Sequence, residues 1–378
     1  MRAEPSVPAE ILAAIRAPFA AAGATPVDPP VIQPLNQLLD LAGEQMRARL
    51  FIVQDEGGRE ACLRPDFTVP VARAHLMSGA TAGRYLYEGR AFRVAPRTAA
   101  EAHPEEFLQI GLEVYGGPGD PAEDAALAGL AWRAAAAGGR DDLFIRLGDI
   151  RLISAVLDAI EVPALTRAKL IAALAKPRML DAVLDRAQAP PVAAADPLTD
   201  ELGALSGPAA AARLEALWRE RGLEPIGGRS ALEIVERLER RREAAAAPRL
   251  TERQASLIRK ALAISGPPKD ALTALGALAS DLEEPIDGWR ARIAALTDAG
   301  LPAAAMTLAP GFGRAFGYYD GFLFEIGARS LDPEAPVAAG GRYDGLMPLL
   351  GGPPLTAVGC IVRPARAWPG PARTGAAA

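Results

Sequence analysis

Phe107–Tyr115 reads FLQIGLEVY. Apolar and polar residues alternate along it, the period of an extended strand with two unlike faces. Leu108, Ile110, Leu112 and Val114 fall on one face; Gln109, Gly111 and Glu113 fall on the other. A glycine between an amide and a carboxylate forms a floor on which a small polar ligand can lie. The glycine leaves room, the amide donates and accepts, and the carboxylate pairs with a cation. The competing reading is a solvent-facing strand surface.

Upstream, Leu86–Val94 behaves alike, with Gly89, Ala91 and Arg93 on one face. Arg93 offers a fork-shaped cation suited to a carboxylate or phosphate, or to a structural ion pair. His103–Pro104 lies in the connection between these strands. Further upstream, Ile11, Leu12, Ile15 and Phe19 give a helical stripe over Pro8–Ala22, stopped by Gly23. Pro26–Pro34 is stiff and extended. Phe51–Gln54 and Ala61–Leu63 flank the turn Asp55–Gly58 and predict a hairpin.

Downstream, Asp120 is placed to cap a helix opened by Pro121, with Glu123 completing a capping box. That helix runs to Gly138–Gly139, and a strand at Leu143–Leu147 and a helix from Asp149 to Ile160 follow. From about Thr166 to Leu296 strand patterns vanish and alanine-rich amphipathic helices take over, their charge runs read as solvated faces. Strand texture returns at Met306, through Phe322–Ile326, Ala339–Leu346 and Val358–Val362. The expected division is a discontinuous core, 1–160 with 301–378, around a helical insertion, 161–300, and a disordered tail at 369–378.

The composition narrows the function classes. The chain has 378 residues, half of them hydrophobic, with a net charge of −5, which argues against a tRNA-gripping basic stripe. Two cysteines, Cys62 and Cys360, exclude a disulfide framework, and two histidines, His75 and His103, exclude a histidine-based metal centre; all four are read as packing or surface residues. The polar N-terminus is no signal peptide, and no apolar run spans a membrane, so a cytoplasmic location is expected. Gly311–Gly317 (GFGRAFG) has dinucleotide-loop spacing, but aromatic, strand-like residues follow it rather than a helix. Phosphate-loop, zinc-protease and serine-hydrolase motifs are missing, as is an acidic phosphoribosyl-diphosphate loop. No cofactor, metal or catalytic group is expected.

Several ordered blocks together resemble the histidyl-tRNA synthetase family. Leu63–Thr68 (LRPDFT) is similar to its LRPEGT block, and Glu88–Pro96 with Glu105–Gly116 to the two strands of class II motif 2. Arg314–Glu325 (RAFGYYDGFLFE) and Ala339–Leu346 (AGGRYDGL) resemble the two histidine-specific blocks; Ala357–Val362 resembles the start of motif 3, and Pro30 the interface proline of motif 1. The resemblance implies an α+β fold: a class II aminoacyl-tRNA synthetase-like antiparallel sheet flanked by helices. It also implies a pocket for free L-histidine. Glu113 and one of Tyr318 and Tyr319 would read the imidazole, Asp66, Thr68 and Gln109 would hold the ammonium group, and Arg93 and Arg314 would face the carboxylate.

The departures from the family lie on the nucleotide side. Ala95 stands where a glutamate grips adenine, and Glu105 where an arginine clamps ATP; an anion beside a polyphosphate is repulsive. Gly317 replaces an aspartate, and Asp66 a glutamate. Arg366 falls at the ATP arginine of motif 3, but Pro364 stands beside it where a helix is expected. The sequence stops soon after motif 3, so an anticodon-binding domain is expected to be lacking. This pattern resembles the regulatory subunits that pair with short-form ATP phosphoribosyltransferase. The resemblance implies a non-catalytic chain, self-association through the class II core, assembly with a separate catalytic subunit, and feedback inhibition by histidine, without tRNA or membrane partners. A stand-alone histidine-adenylating enzyme and a ligand-free scaffold are the alternatives.

Overall fold

The computed structural model describes residues 4–95, 104–174, 179–189, 197–223, 230–246, 248–313 and 317–370. Eleven strands lie among them: β1 (Thr25–Pro26), β2 (Ile32–Pro34), β3 (Ile52–Gln54), β4 (Glu60–Leu63), β5 (Gly83–Phe92), β6 (Glu106–Tyr115), β7 (Leu143–Asp149), β8 (Met306–Leu308), β9 (Phe322–Ala328), β10 (Ala338–Arg342) and β11 (Ala357–Val362). Eight form one sheet in the order β1-β5-β6-β11-β10-β9-β7-β8, and β2-β4-β3 form a second. The central run from β5 to β7 is antiparallel throughout, as expected. The short edge strands β1 and β8 join it in parallel, which makes the whole sheet mixed.

The helices α1 (Ala9–Ala20), α2 (Leu35–Ala42), α3 (Thr68–Ser78), α4 (Pro121–Ala136) and α5 (Ile150–Ala159) belong to the same unit. The register shows which sheet face each side chain takes. Arg342 pairs with Val358, which pairs with Val114. Arg342 Nε donates to Asp124 of α4 at 2.9 Å, so the Val114 face is the one α4 covers. Glu113, Gln109 and Gly111 take the opposite face. There Phe107 and Tyr115 join a buried cluster with Leu35 and Leu38 of α2, Phe67, Val69, Tyr87, Tyr318 and Tyr343.

Asp120 caps α4, its Oδ1 accepting from Glu123 N at 2.8 Å. The expected box is not closed by Glu123 in return: its carboxylate accepts from Gly119 N and from the guanidinium of Arg342. The buried cation draws it from the helix end. One other reading shifts. Strand structure ends at Arg342 rather than continuing through Leu346, because Asp344 N and Gly345 N turn to donate to the Asp320 carboxylate. Strand β9 begins at Phe322, as expected, and runs two residues further than read, to Ala328.

By internal contacts the chain divides into a larger unit (1–160, 171–177 and 257–378) and a smaller one (161–170 and 178–256). The smaller is helical and ends at Ser256, whereas the insertion read from sequence runs to residue 300. The helix Glu283–Asp298 stays with the sheet because its buried Trp289 donates to Asp149 Oδ2 at 3.1 Å and Arg292 pairs with Asp124 and Asp149. In the smaller unit, Leu202, Ala210, Ala211, Leu214, Ala231 and Val235 from three helices form a separate core. Residues 371–378, most of the expected tail, lie outside the described residues. None of the described helices is long and apolar enough to cross a membrane.

Candidate functional site

One cavity of about 340 Å³ opens in the larger unit on the Gln109 face of β6. Six of the eight residues singled out by sequence line it: Asp66, Thr68, Arg93, Gln109, Tyr318 and Tyr319. They come from four places: the β4–α3 connection and the start of α3, the end of β5, the middle of β6, and the segment before β9. Arg314 lies outside the described residues.

Glu113 is placed differently from expectation. It is buried and absent from the cavity lining. Its Oε1 accepts from Thr68 Oγ1 at 2.9 Å and from the Tyr87 hydroxyl at 3.2 Å, and its Oε2 accepts from the Tyr343 hydroxyl. No cation stands in this set. Burial pushes the carboxyl up to about 7, although the three hydroxyls pull the other way. Glu113 thus supports Thr68 from behind, and Tyr343 of the AGGRYDGL block takes the contact that sequence gave to a ligand.

The role of Gly111 changes as well. Tyr87 faces it across the β5–β6 pair, and the Tyr87 ring stacks on Phe67 with centroids 4.4 Å apart. A Cβ on Gly111 would press on that hydroxyl and lie 2.6 Å from the backbone oxygen of Cys360. The space beside the glycine is filled by a tyrosine, not reserved for a ligand. The solvent-facing reading of this strand face fails too, since Gln109 and Glu113 are both almost wholly buried.

Three of the lining residues carry acceptors: Asp66, Thr68 and Gln109. Asp66 Oδ1 and Gln109 Oε1 are buried and have no hydrogen-bond partner among the described residues. Burial raises the Asp66 carboxyl above the ordinary range, against the pull of the Arg93 guanidinium. The Tyr318 hydroxyl donates to Asp66 Oδ2 at 3.4 Å. Thr68 spends its proton on Glu113, which leaves its oxygen as a third acceptor. Two acceptors without donors suit a bound ammonium group, because buried unpaired polar atoms are costly.

The lining also carries four cations, Arg49, Arg93, Arg363 and Arg366, and two further acids, Glu325 and Glu334, among apolar residues. Arg93 Nε also donates to the Pro65 carbonyl at 2.8 Å, so this side chain is held in part by structure. Sequence reading missed Arg363, which packs over Phe107 at 3.9 Å and pairs with Glu4; neither partner is near it in sequence. Pro364 does not disrupt the helix beside Arg366. It opens the short helix Pro364–Ala367 at the first position, where a missing N–H costs nothing. Ala95 lines the cavity, whereas Glu105 does not, its carbonyl accepting instead from Arg93 N.

Other conspicuous groups serve packing. His75 Nδ1 meets the Tyr85 hydroxyl at 2.9 Å and its ring stacks on Tyr115. Cys62 and Cys360 are buried free thiols, and burial pushes Cys62 up to about 11; His103 lies outside the described residues. Two glycines of GFGRAFG, Gly311 and Gly313, are contact points. A Cβ on Gly311 would lie 2.7 Å from the Leu262 carbonyl oxygen, and one on Gly313 2.6 Å from that of Leu174. Among the described residues no group of His, Cys, Asp or Glu is placed to hold a metal ion.

Comparison with known proteins agrees with this architecture. The family model described as histidyl-tRNA synthetase matches residues 4–224 and 209–365. The ATP phosphoribosyltransferase regulatory subunit of Brucella anthropi is 36% identical over 337 residues, covering 86% of this chain and 87% of that protein. The chain belongs to this regulatory-subunit family. The protein of the same name from Agrobacterium fabrum is 35% identical over 342 residues, covering 88% and 89%. Among solved structures, an ATP phosphoribosyltransferase regulatory subunit/histidyl-tRNA synthetase from Bacillus halodurans C aligns over 95% of this chain and 78% of its own, with TM-score 0.66 and 18% identity. The histidyl-tRNA synthetase from Nostoc sp. PCC 7120 gives TM-score 0.59 at 16% identity, covering 96% and 74%. The fold is that of class II synthetases of the histidyl type.

Proposed function

We propose that this chain is the non-catalytic regulatory subunit of an ATP phosphoribosyltransferase and that its cavity is a receptor for free L-histidine. The observation that carries the reading is the pair of buried acceptors, Asp66 Oδ1 and Gln109 Oε1, that find no donor among the described residues. The ammonium of histidine supplies that donor, with Thr68 beside it. Arg93 takes the carboxylate, joined by Arg314, and Tyr318 and Tyr319 enclose the imidazole. Glu113 acts through Thr68 rather than on the ligand. Occupancy is then coupled to a separate short-form catalytic subunit, which is how feedback inhibition arises. The chain pairs with itself through the class II core, works in the cytoplasm, and takes neither tRNA nor a membrane as partner.

Ala95 in the cavity wall removes the carboxylate that a synthetase uses on adenine, which supports the absence of catalysis. The alternative, a histidine-adenylating enzyme, draws on Arg93 and Arg366 in the same cavity. Calorimetry with L-histidine, histamine and imidazole-4-propionate separates the parts of the reading. Histidine binds, and removal of either the carboxylate or the ammonium weakens binding at least tenfold. Histidine-dependent exchange of pyrophosphate into ATP would instead establish the enzyme, and equal affinity for all three ligands would remove the acceptor set from recognition.

A further inference from the structure

The smaller, helical unit contains a pocket of its own, of about 170 Å³. Lys169, Arg186 and Arg249 line it, together with the buried Thr166. No carboxylate lines it. Among the described residues none of the three cations makes an ion pair or hydrogen bond. Elsewhere in the same unit Arg213 meets both Glu201 and Glu220. The helical spacing explains the lack of partners. One turn either side of Lys169 stand Leu165 and Ala173, and one turn before Arg186 stand Ala182 and Val183, so no acid shares the face.

The rest of the lining is apolar: Leu165, Val183, Ala187 and Pro248. A site with three cations, a hydroxyl and an apolar wall is matched to a dianion that carries a small carbon skeleton. Guanidinium forks meet phosphoryl oxygens in bidentate fashion, and a phosphate monoester carries close to two charges at neutral pH. At about 30 Å³ for each water displaced, the pocket has room for a phosphoryl group and several carbons. A carboxylate alone would leave two cations unmatched.

We propose that this pocket is a binding site for a phosphate monoester of a small organic molecule. The phosphoryl group lies among Lys169, Arg186 and Arg249, the Thr166 hydroxyl donates to one of its oxygens, and the carbon skeleton rests on Leu165, Val183 and Pro248. The site lies wholly within the smaller unit and is independent of the histidine reading.

The test is calorimetry on the full chain in chloride-poor buffer, with inorganic phosphate and phenyl phosphate as probes. Both bind, and phenyl phosphate binds several-fold tighter because its ring covers the apolar wall. Arg186→Gln and Arg249→Gln each weaken binding about tenfold, the loss expected for one charge-assisted contact, and the triple variant with Lys169→Gln abolishes it. L-histidine affinity stays at the wild-type value in all three, which separates this outcome from any failure of the histidine site. Because the three side chains are exposed or half-exposed, circular dichroism melts of the variants overlay the wild type. Absence of binding by the wild type, equal affinity for the two probes, or wild-type affinity in the triple variant would each overturn the proposal.

Discussion

Replacing Glu113 by glutamine should stabilise the protein in alkaline solution and leave it nearly unchanged in acid. The folded carboxyl sits at about 7 instead of its ordinary 4.5, because it is buried among hydroxyls with no cation. A raised acid binds its proton more tightly in the folded state. Its stabilising effect is therefore complete below pH 4.5, where both states are protonated, and is lost as pH rises to about 7 and the folded state must charge a buried group. The gap corresponds to about 3 kcal/mol at roughly 1.4 kcal/mol per pH unit. Glutamine keeps the volume and an acceptor for Thr68, and Tyr343 can turn its hydroxyl to accept from the amide. Urea unfolding of wild type and Glu113→Gln at pH 5 and pH 8.5 gives the answer, and the difference between the chains cancels other titrating groups. The variant should gain up to about 3 kcal/mol on the wild type between the two pH values. An equal loss at both pH values, or the wild-type pH slope retained in the variant, would refute the reasoning.

Three further outcomes follow from packing and charge. Gly111→Ala should cost about 2 kcal/mol or more in urea unfolding, since its methyl group collides with Tyr87 and the Cys360 backbone. Arg342→Met should cost roughly 3 kcal/mol by the same measurement, because it leaves the buried Asp124 and the nearly buried Glu123 without their shared cation. Asp66→Asn should weaken L-histidine binding by about thirtyfold in calorimetry, the worth of one charge-assisted hydrogen bond of about 2 kcal/mol, with the melting temperature unchanged or raised because a buried charge is removed.

The parts of the fold legible in sequence are those set by local period. Alternation along Phe107–Tyr115 placed Gln109 and Glu113 on one face, and Asp120 with Pro121 fixed the start of α4. The parts misread depend on partners far along the chain. Glu113 is occupied by Tyr343, 230 positions away, and Gly111 by Tyr87 on the neighbouring strand, so a polar face that looked open to a ligand is partly closed by the protein itself. The helix Glu283–Asp298 has the same amphipathic texture as the insertion; Trp289 and Arg292 reaching Asp149 and Asp124 show that it covers the sheet. Arg363 carried no local pattern at all. The cavity's acceptors were legible as residue types, but their lack of donors emerges only once β4, β6 and the segment before β9 come together.

The central claim is that histidine bound in this cavity governs a partner phosphoribosyltransferase. It is tested most directly by titrating L-histidine against the activity of the complex reconstituted with its catalytic subunit, using wild-type chain and Asp66→Asn in parallel. Both chains should support the same uninhibited rate, while the inhibition midpoint of the variant moves up by about thirtyfold, in step with its binding loss of about 2 kcal/mol. An unchanged midpoint in a variant that assembles normally would contradict it and place the histidine site elsewhere in the complex.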